Sequence, residues 1–205
     1  MTDAAQGSEN WLRARLGKLT ASRAHDAIAK TKTGWSTSRA NLRAELITER
    51  LTGQPTEGFK SAAMQFGSDS EAEARAAYAF RKDVDVQEVG FIDHPHIPWS
   101  GASPDGFVGA DGLVEIKVRN SANHIDCLLG AAIPVRYRTQ MLWQMSVTGR
   151  KWVDYCSYDP RLPERMRFCV RRIERDDRAI GDLEREVEIF LGEVEDLMQR
   201  LRDGD

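Results

Sequence analysis

Ser103-Pro104-Asp105-Gly106 and, a short way on, Leu113-Val114-Glu115-Ile116-Lys117 decide how this chain is read. Proline fixes its own φ and glycine reaches conformations other residues avoid, so Asp105 is predicted in a turn between them. Asp111-Gly112 is a hairpin signal that leads into a short β-branched run. Side chains of an extended strand alternate between its two faces. Glu115 and Lys117 therefore project together, and Ile116 points the other way, into a core. The hairpin is expected to bring two carboxylates and an ammonium to one side.

Those group types suit one chemistry. Carboxylates are hard oxygen donors of the kind Mg²⁺ takes, usually together with waters and phosphate oxygens of a substrate. Such an ion lowers the pKa of bound water, and two ions about 3.5–4 Å apart clamp both ends of a phosphodiester displacement. Lys117 has two roles open to it: holding or deprotonating the attacking water, or stabilising negative charge on the phosphoryl oxygens. Adjacent metal ions would lower its pKa and favour the first role, whereas bonding to Glu115 and phosphate works the other way. Asp-Gly turns and a Glu-x-Lys on an edge strand are also ordinary solvated patterns. The reading therefore leans on the segments around it.

Upstream, Phe66-Gly67-Ser68-Asp69-Ser70-Glu71-Ala72-Glu73-Ala74-Arg75 reads as a capped helix start with acids in its first turn. Glu71 either complements the helix dipole or faces the metal centre as a further ligand, directly or through water. Downstream, Tyr137-Arg138-Thr139-Gln140-Met141-Leu142-Trp143-Gln144-Met145 is helical in pattern, with Gln140 and Gln144 one turn apart on one face.

In this order the motifs resemble the lambda exonuclease, or YqaJ-like viral recombinase, branch of the PD-(D/E)xK nucleases. The similarity runs from about Trp11 to the last helix. It is carried by Trp11-Leu12-Arg13-Ala14-Arg15-Leu16-Gly17, Leu19-Thr20-Ala21-Ser22, Gly67 to Glu71, Ser103 to Gly106, Glu115-Ile116-Lys117, the glutamine helix and Tyr158-Asp159-Pro160-Arg161. The resemblance implies a restriction-endonuclease-like α/β core, a central mixed β-sheet flanked by helices, in a single domain over residues 1–205 with residues 1–10 flexible. It implies Asp105 and Glu115 as metal-binding carboxylates, the carbonyl of Ile116 and the carboxylate of Glu71 as further ligands, and Lys117 as the catalytic lysine. Two Mg²⁺ ions are the implied cofactors, with Mn²⁺ able to substitute. Arg15, Ser22 and Ser103 match positions that form a pocket for a terminal 5′-phosphate, and an arginine fork with hydroxyl donors is a good phosphate receptor. Relatives carry Gln-x-Gln on the downstream helix. Here the second position is Leu142, and Gln140 is assigned to the site, with Gln144 the alternative.

The implied activity is 5′-to-3′ digestion of one strand of linear double-stranded DNA to mononucleotides, leaving a 3′ overhang for recombination by strand annealing. A homotrimeric ring, a single-strand annealing protein as partner and a phage or prophage setting in the bacterial cytoplasm come with the resemblance. Met64 matches an apolar position near the DNA fork, although a core methionine fits as well. A restriction-type endonuclease shares the triad but needs a separate base-reading element. A non-catalytic DNA-end-binding protein would not need Asp105, Glu115 and Lys117 together.

Composition agrees. The 205 residues are 41% hydrophobic and 30% charged, as in an ordinary globular domain. With 29 basic against 32 acidic residues the net charge is −3, so DNA contact must be local rather than bulk. The best candidate is the loop carrying Lys30, Lys32, Trp35 and Arg39, and Arg136 and Arg138 form a further basic patch. No apolar run approaches a membrane span, and the first residues lack a signal-peptide layout. Cys127, Cys156 and Cys169 are expected as buried thiols of a reducing compartment, and His94-Pro95-His96 as an exposed loop pair. Strands are predicted near 84–92, 113–118, 152–158 and 166–173. The stripe from Ile180 to Leu201 predicts an amphipathic last helix packed on the sheet.

Overall fold

The computed structural model describes residues 4–56 and 62–204, with side chains outside 62–69. In chain order the elements are α1 (Glu9–Arg15), β1 (Leu19–Thr20), α2 (Ala24–Ile28), the hairpin β2 (Lys30–Thr31) and β3 (Gly34–Trp35), and α3 (Thr37–Thr52). Next come α4 (Ala62–Lys82), β4 (Val86–Gln87), β5 (Ile92–Asp93), β6 (Ser100–Ala102), β7 (Gly106–Val108) and β8 (Gly112–Val118). The chain ends with α5 (Ser121–Leu128), α6 (Val135–Thr148), β9 (Trp152–Tyr158), β10 (Phe168–Glu174) and α7 (Asp177–Asp203).

A five-stranded mixed sheet runs β10-β9-β8-β7-β4, parallel only between β8 and β9. A smaller sheet, β1-β6-β5, lies beside it. The expected alternation along β8 holds and sorts the core into two. Leu113, on the face of Glu115 and Lys117, joins Val153, Tyr155 and the buried faces of α2, α3, α6 and α7. Val114 and Ile116 turn to the other face and pack with Ala74 and Tyr78 of α4. The β7–β8 connection is a hairpin whose left-handed residue is Gly109, at φ 55°. Gly112 of the Asp-Gly pair is already in the strand opposite Val108, where an added Cβ would overlap the Trp152 ring.

Several expectations change. The helix carrying Glu71 starts at Ala62 rather than at a Ser68/Asp69 cap. Ala, Met and Gln ahead of Gly67 are strong helix formers and outweigh the roughly 1 kcal/mol that an interior glycine costs. The last helix packs chiefly against α2, α3 and α6 instead of lying on the sheet, because those helices already cover that face. Its stripe of Ile180, Leu183, Val187, Phe190, Leu191, Val194 and Met198 is buried, whereas Leu201 is exposed. Within residues 4–10, Gln6 donates to the carbonyls of Val89 and Pro104 at 3.0 and 2.8 Å, and Ser8 caps α1. Cys127 and Cys169 are not free thiols but a disulfide joining α5 to β10, with Cα atoms 6.2 Å apart, while Cys156 is a buried thiol. Of the histidine pair, His94 is buried and only His96 is exposed. Among the described residues no helix is long and apolar enough to cross a membrane.

Candidate active site

The turn before β7 and the middle of β8 bring Asp105 and Glu115 together. Asp105 is nearly buried and its Oδ2 accepts the backbone N–H of Ile116 at 2.6 Å, which ties the turn to the strand. Glu115 is fully buried. Helix α6 lies across its face of β8, and every residue from Thr139 to Val147 is buried. A helix enclosed on all sides has no solvent for its amides, so both glutamines turn onto the carboxylate. Gln140 donates to Oε1 of Glu115 at 2.6 Å and Gln144 to Oε2 at 2.5 Å. Lys117, partly exposed at the mouth, forms an ion pair with Oε1. The helical spacing of Gln140 and Gln144 was the signal that both serve one group, and the structure uses the pair rather than a choice between them.

Charges reinforce one another here. Burial pushes the Asp105 carboxyl well above the usual range, and the charges of Glu115 and Glu71 add to that, against the pull of Lys117 and the Ile116 N–H. For Lys117 burial alone would lower the pKa. The charges of Glu115 and Asp105, with the Glu115 hydrogen bond, outweigh it and raise the value. Without a metal the lysine is thus firmly an ammonium, the state that stabilises negative charge. Glu71 stands at the rim, held by Arg75 at 2.8 Å, and Arg75 also pairs with Glu88 at 2.6 Å.

The donor set fits a hard divalent cation. Two buried carboxylates crowd one spot, which is costly for like charges unless a cation joins them. Gln144 also leaves its buried Oε1 with no hydrogen-bond partner among the described residues. Among the described residues no group of three His, Cys, Asp or Glu side chains forms a cage, and Mg²⁺ is commonly held by one or two carboxylates with the rest of its shell from water and phosphate.

Arg15 and Ser22 line a second cleft of about 410 Å³, together with Lys18, Arg23, Glu45 and Glu49. Burial pulls the Arg15 guanidinium down to about 10, with Glu49 acting in the opposite direction, so it stays charged at neutral pH. It stacks on the Trp11 ring at 3.9 Å, and the Trp11 indole N–H donates to Ser103 Oγ at 2.9 Å. Trp11, a motif residue with no role assigned to it from sequence, therefore links Arg15 to the turn that carries Asp105. Ser22 lies 3.3 Å from Thr20 Oγ1 and is exposed at the cleft.

The basic loop divides. Lys32 is exposed, and Trp35 is exposed on the β2–β3 hairpin with Lys30 over its ring at 4.5 Å. Arg39 corrects the sequence reading: it is 2% exposed, donates to the carbonyl of Ala27, pairs with Glu193 at 2.6 Å, and sits between Trp35 and Phe190. Its charge is spent holding α3 to α2 and α7. Met64 lies on α4, its side chain outside the described residues.

The YqaJ-like viral recombinase domain, as a family model, matches residues 10–151. An alkaline exonuclease from Laribacter hongkongensis, LHK-Exo, superposes with a TM-score of 0.90 at 46% identity, over 96% of this chain and 97% of that one. The same enzyme in complex with dAMP matches at 0.90 and 47% over the same shares. A phage-related exonuclease from Haemophilus somnus 129PT, 13% identical, shares the fold at 0.71 over 90% of this chain and 96% of that one. No curated protein matches.

Proposed function

This chain belongs to the YqaJ-like viral recombinase family, and on that footing we propose that it is an exonuclease acting on linear double-stranded DNA. It digests one strand from its 5′ end to mononucleotides and leaves a 3′ overhang for strand annealing. The observation that carries the reading is the buried Glu115 carboxylate, bonded at once by Gln140, Gln144 and Lys117, next to Asp105. LHK-Exo, an alkaline exonuclease, supports it over nearly the whole chain.

Asp105 and Glu115, with the carbonyl of Ile116 and with Glu71 at the rim, would hold Mg²⁺, or Mn²⁺ in its place. The ion would supply charge neutralisation on the phosphate and a more acidic water. Gln140 and Gln144 fix the orientation of Glu115. Lys117, already an ammonium, donates to a non-bridging oxygen of the scissile phosphate as negative charge grows there. Arg15, Ser22 and Ser103 hold the terminal 5′-phosphate, with Trp11 positioning Arg15. Lys32 and Trp35 reach the duplex. A homotrimeric ring enclosing the DNA would keep it from leaving between cuts, and a single-strand annealing protein would take up the 3′ strand.

The test is nucleotide release from a linear duplex labelled on one strand, with a 5′-phosphate or 5′-hydroxyl end, in Mg²⁺ and in chelator. Stepwise loss from the phosphorylated 5′ end, only with metal, is expected. Equal cutting of closed circles would replace this reading with an endonuclease. Tight end binding without release in any divalent metal would replace it with a passive end-binding protein.

A further inference from the structure

Beyond Lys117 the strand β8 runs out through Val118 to Arg119, and α6 starts across from it with Val135, Arg136 and Tyr137. Three cations converge on the Tyr137 ring: Lys117 Nζ at 5.4 Å, the Arg119 guanidinium at 5.4 Å and that of Arg136 at 4.6 Å from its centre. Arg136 donates to the Tyr137 hydroxyl at 2.7 Å, and Arg119 to that of Tyr155 at 3.3 Å. The two tyrosine rings lie 5.9 Å apart, so they form one aromatic backing. Lys117 is neutralised by Glu115. Among the described residues Arg119 and Arg136 form no ion pair with any carboxylate; phenol hydroxyls and ring faces are their partners. The carboxylate facing the small cleft beside Arg119 belongs to Asp126, with Asn123 next to it, and it makes no ion pair with Arg119.

Elsewhere on the molecule Arg13, Arg23, Arg75, Arg161 and Arg172 each have a carboxylate partner, and Arg150 and Arg171 bond backbone carbonyls instead. Two guanidinium groups with no carboxylate partner among the described residues, held against aromatic rings beside the partly exposed Lys117, leave positive charge for an anion to neutralise. Guanidinium forks match the geometry of phosphate oxygens, and stacking on a ring pre-orders the fork. We propose that Arg119 and Arg136, on the Tyr137–Tyr155 platform, form a second phosphodiester subsite that grips DNA next to the phosphate at Lys117. The proposal rests on the exonuclease reading for the identity of its substrate. It makes the outer end of β8 and the start of α6 the track on which the strand lies.

The test compares Arg119→Gln and Arg136→Gln with the parent protein by fluorescence anisotropy of a labelled linear duplex, in chelator, over a salt series. Each variant should bind roughly 10-fold more weakly and lower the slope of log affinity against log salt by about 1, as for loss of one phosphate contact. Arg119→Lys and Arg136→Lys keep the charge and should restore the slope; circular dichroism melts establish that all four fold. In Mg²⁺ the glutamine variants should raise KM more than they lower kcat. An unchanged affinity and slope in either folded glutamine variant overturns the shared subsite. The expected slope change in the glutamine variants, with a parent protein that releases no nucleotide in any divalent metal, would overturn the exonuclease reading while supporting this one.

Discussion

Replacing Gln144 by leucine removes a 2.5 Å donor from a fully buried carboxylate. A hydrogen bond to a charged group contributes about 1.5–3 kcal/mol, so that loss alone would be severe. The same substitution also removes the buried Oε1 of Gln144, which has no partner among the described residues, and an orphaned buried acceptor costs about 1–3 kcal/mol. The two changes have opposite signs and similar size, so Gln144→Leu should leave stability within about 1.5 kcal/mol of the parent. Gln140 donates to the other oxygen at 2.6 Å and carries no such orphan. Gln140→Leu should therefore cost the full amount, about 1.5–3 kcal/mol, or roughly 3–12 °C in Tm for a chain of this size. Urea unfolding of both variants in chelator, where no metal contributes, gives the comparison directly. A loss for Gln144→Leu equal to or larger than that for Gln140→Leu would refute the idea that the inner amide is half satisfied. Both variants should lose turnover, since each removes one of the three bonds that fix the orientation of Glu115.

Trp11→Phe keeps the ring under Arg15 but breaks the bond to Ser103; it should narrow the rate difference between 5′-phosphate and 5′-hydroxyl duplexes several-fold, and an unchanged ratio would exclude Trp11 from end recognition. Arg39→Met should cost on the order of 2–3 kcal/mol in urea unfolding through the lost bonds to Glu193 and Ala27, whereas Lys32→Ala should leave stability alone and weaken duplex binding; the reverse pattern would return Arg39 to the DNA surface. His94 is held neutral, its pKa lowered by burial and by His96 against the pull of Glu184, with Nδ1 accepting two backbone N–H groups and Nε2 2.8 Å from Ser146. The unfolded chain binds a proton there below about pH 6.5 and the folded chain binds it only at lower pH, so stability should fall as pH drops below that value. His94→Gln should flatten the fall between about pH 7.5 and pH 5, and an equal fall in parent and variant would assign it to other groups.

Much of the site was legible because it is local. Alternation along a strand is a property of the backbone, so the common face of Glu115 and Lys117 and the inward turn of Ile116 follow from the order of residues. The same holds for the shared face of Gln140 and Gln144, one helical turn apart. The helix start at Ala62 was harder, because Ser68, Asp69 and Glu71 look like a cap whether or not the helix has already begun. Arg39 looked like a DNA contact for a related reason: a basic residue after an exposed tryptophan has the same local signature on the surface as in a buried pair.

What sequence alone determined, then, is the placing of groups: Glu115 and Lys117 on one face of a strand after the Asp105 turn, and Gln140 and Gln144 on one face of a helix. Tertiary structure decided which charges that chemistry can use. It committed Arg39 to Glu193, far along the chain, seated Trp11 between Arg15 and Ser103, joined Cys127 to Cys169, and gathered Arg119 and Arg136 around Tyr137 with no carboxylate partner among the described residues. Periodicity is set by neighbours a few residues apart, whereas the partner of a charge is set by which distant segments the core brings together.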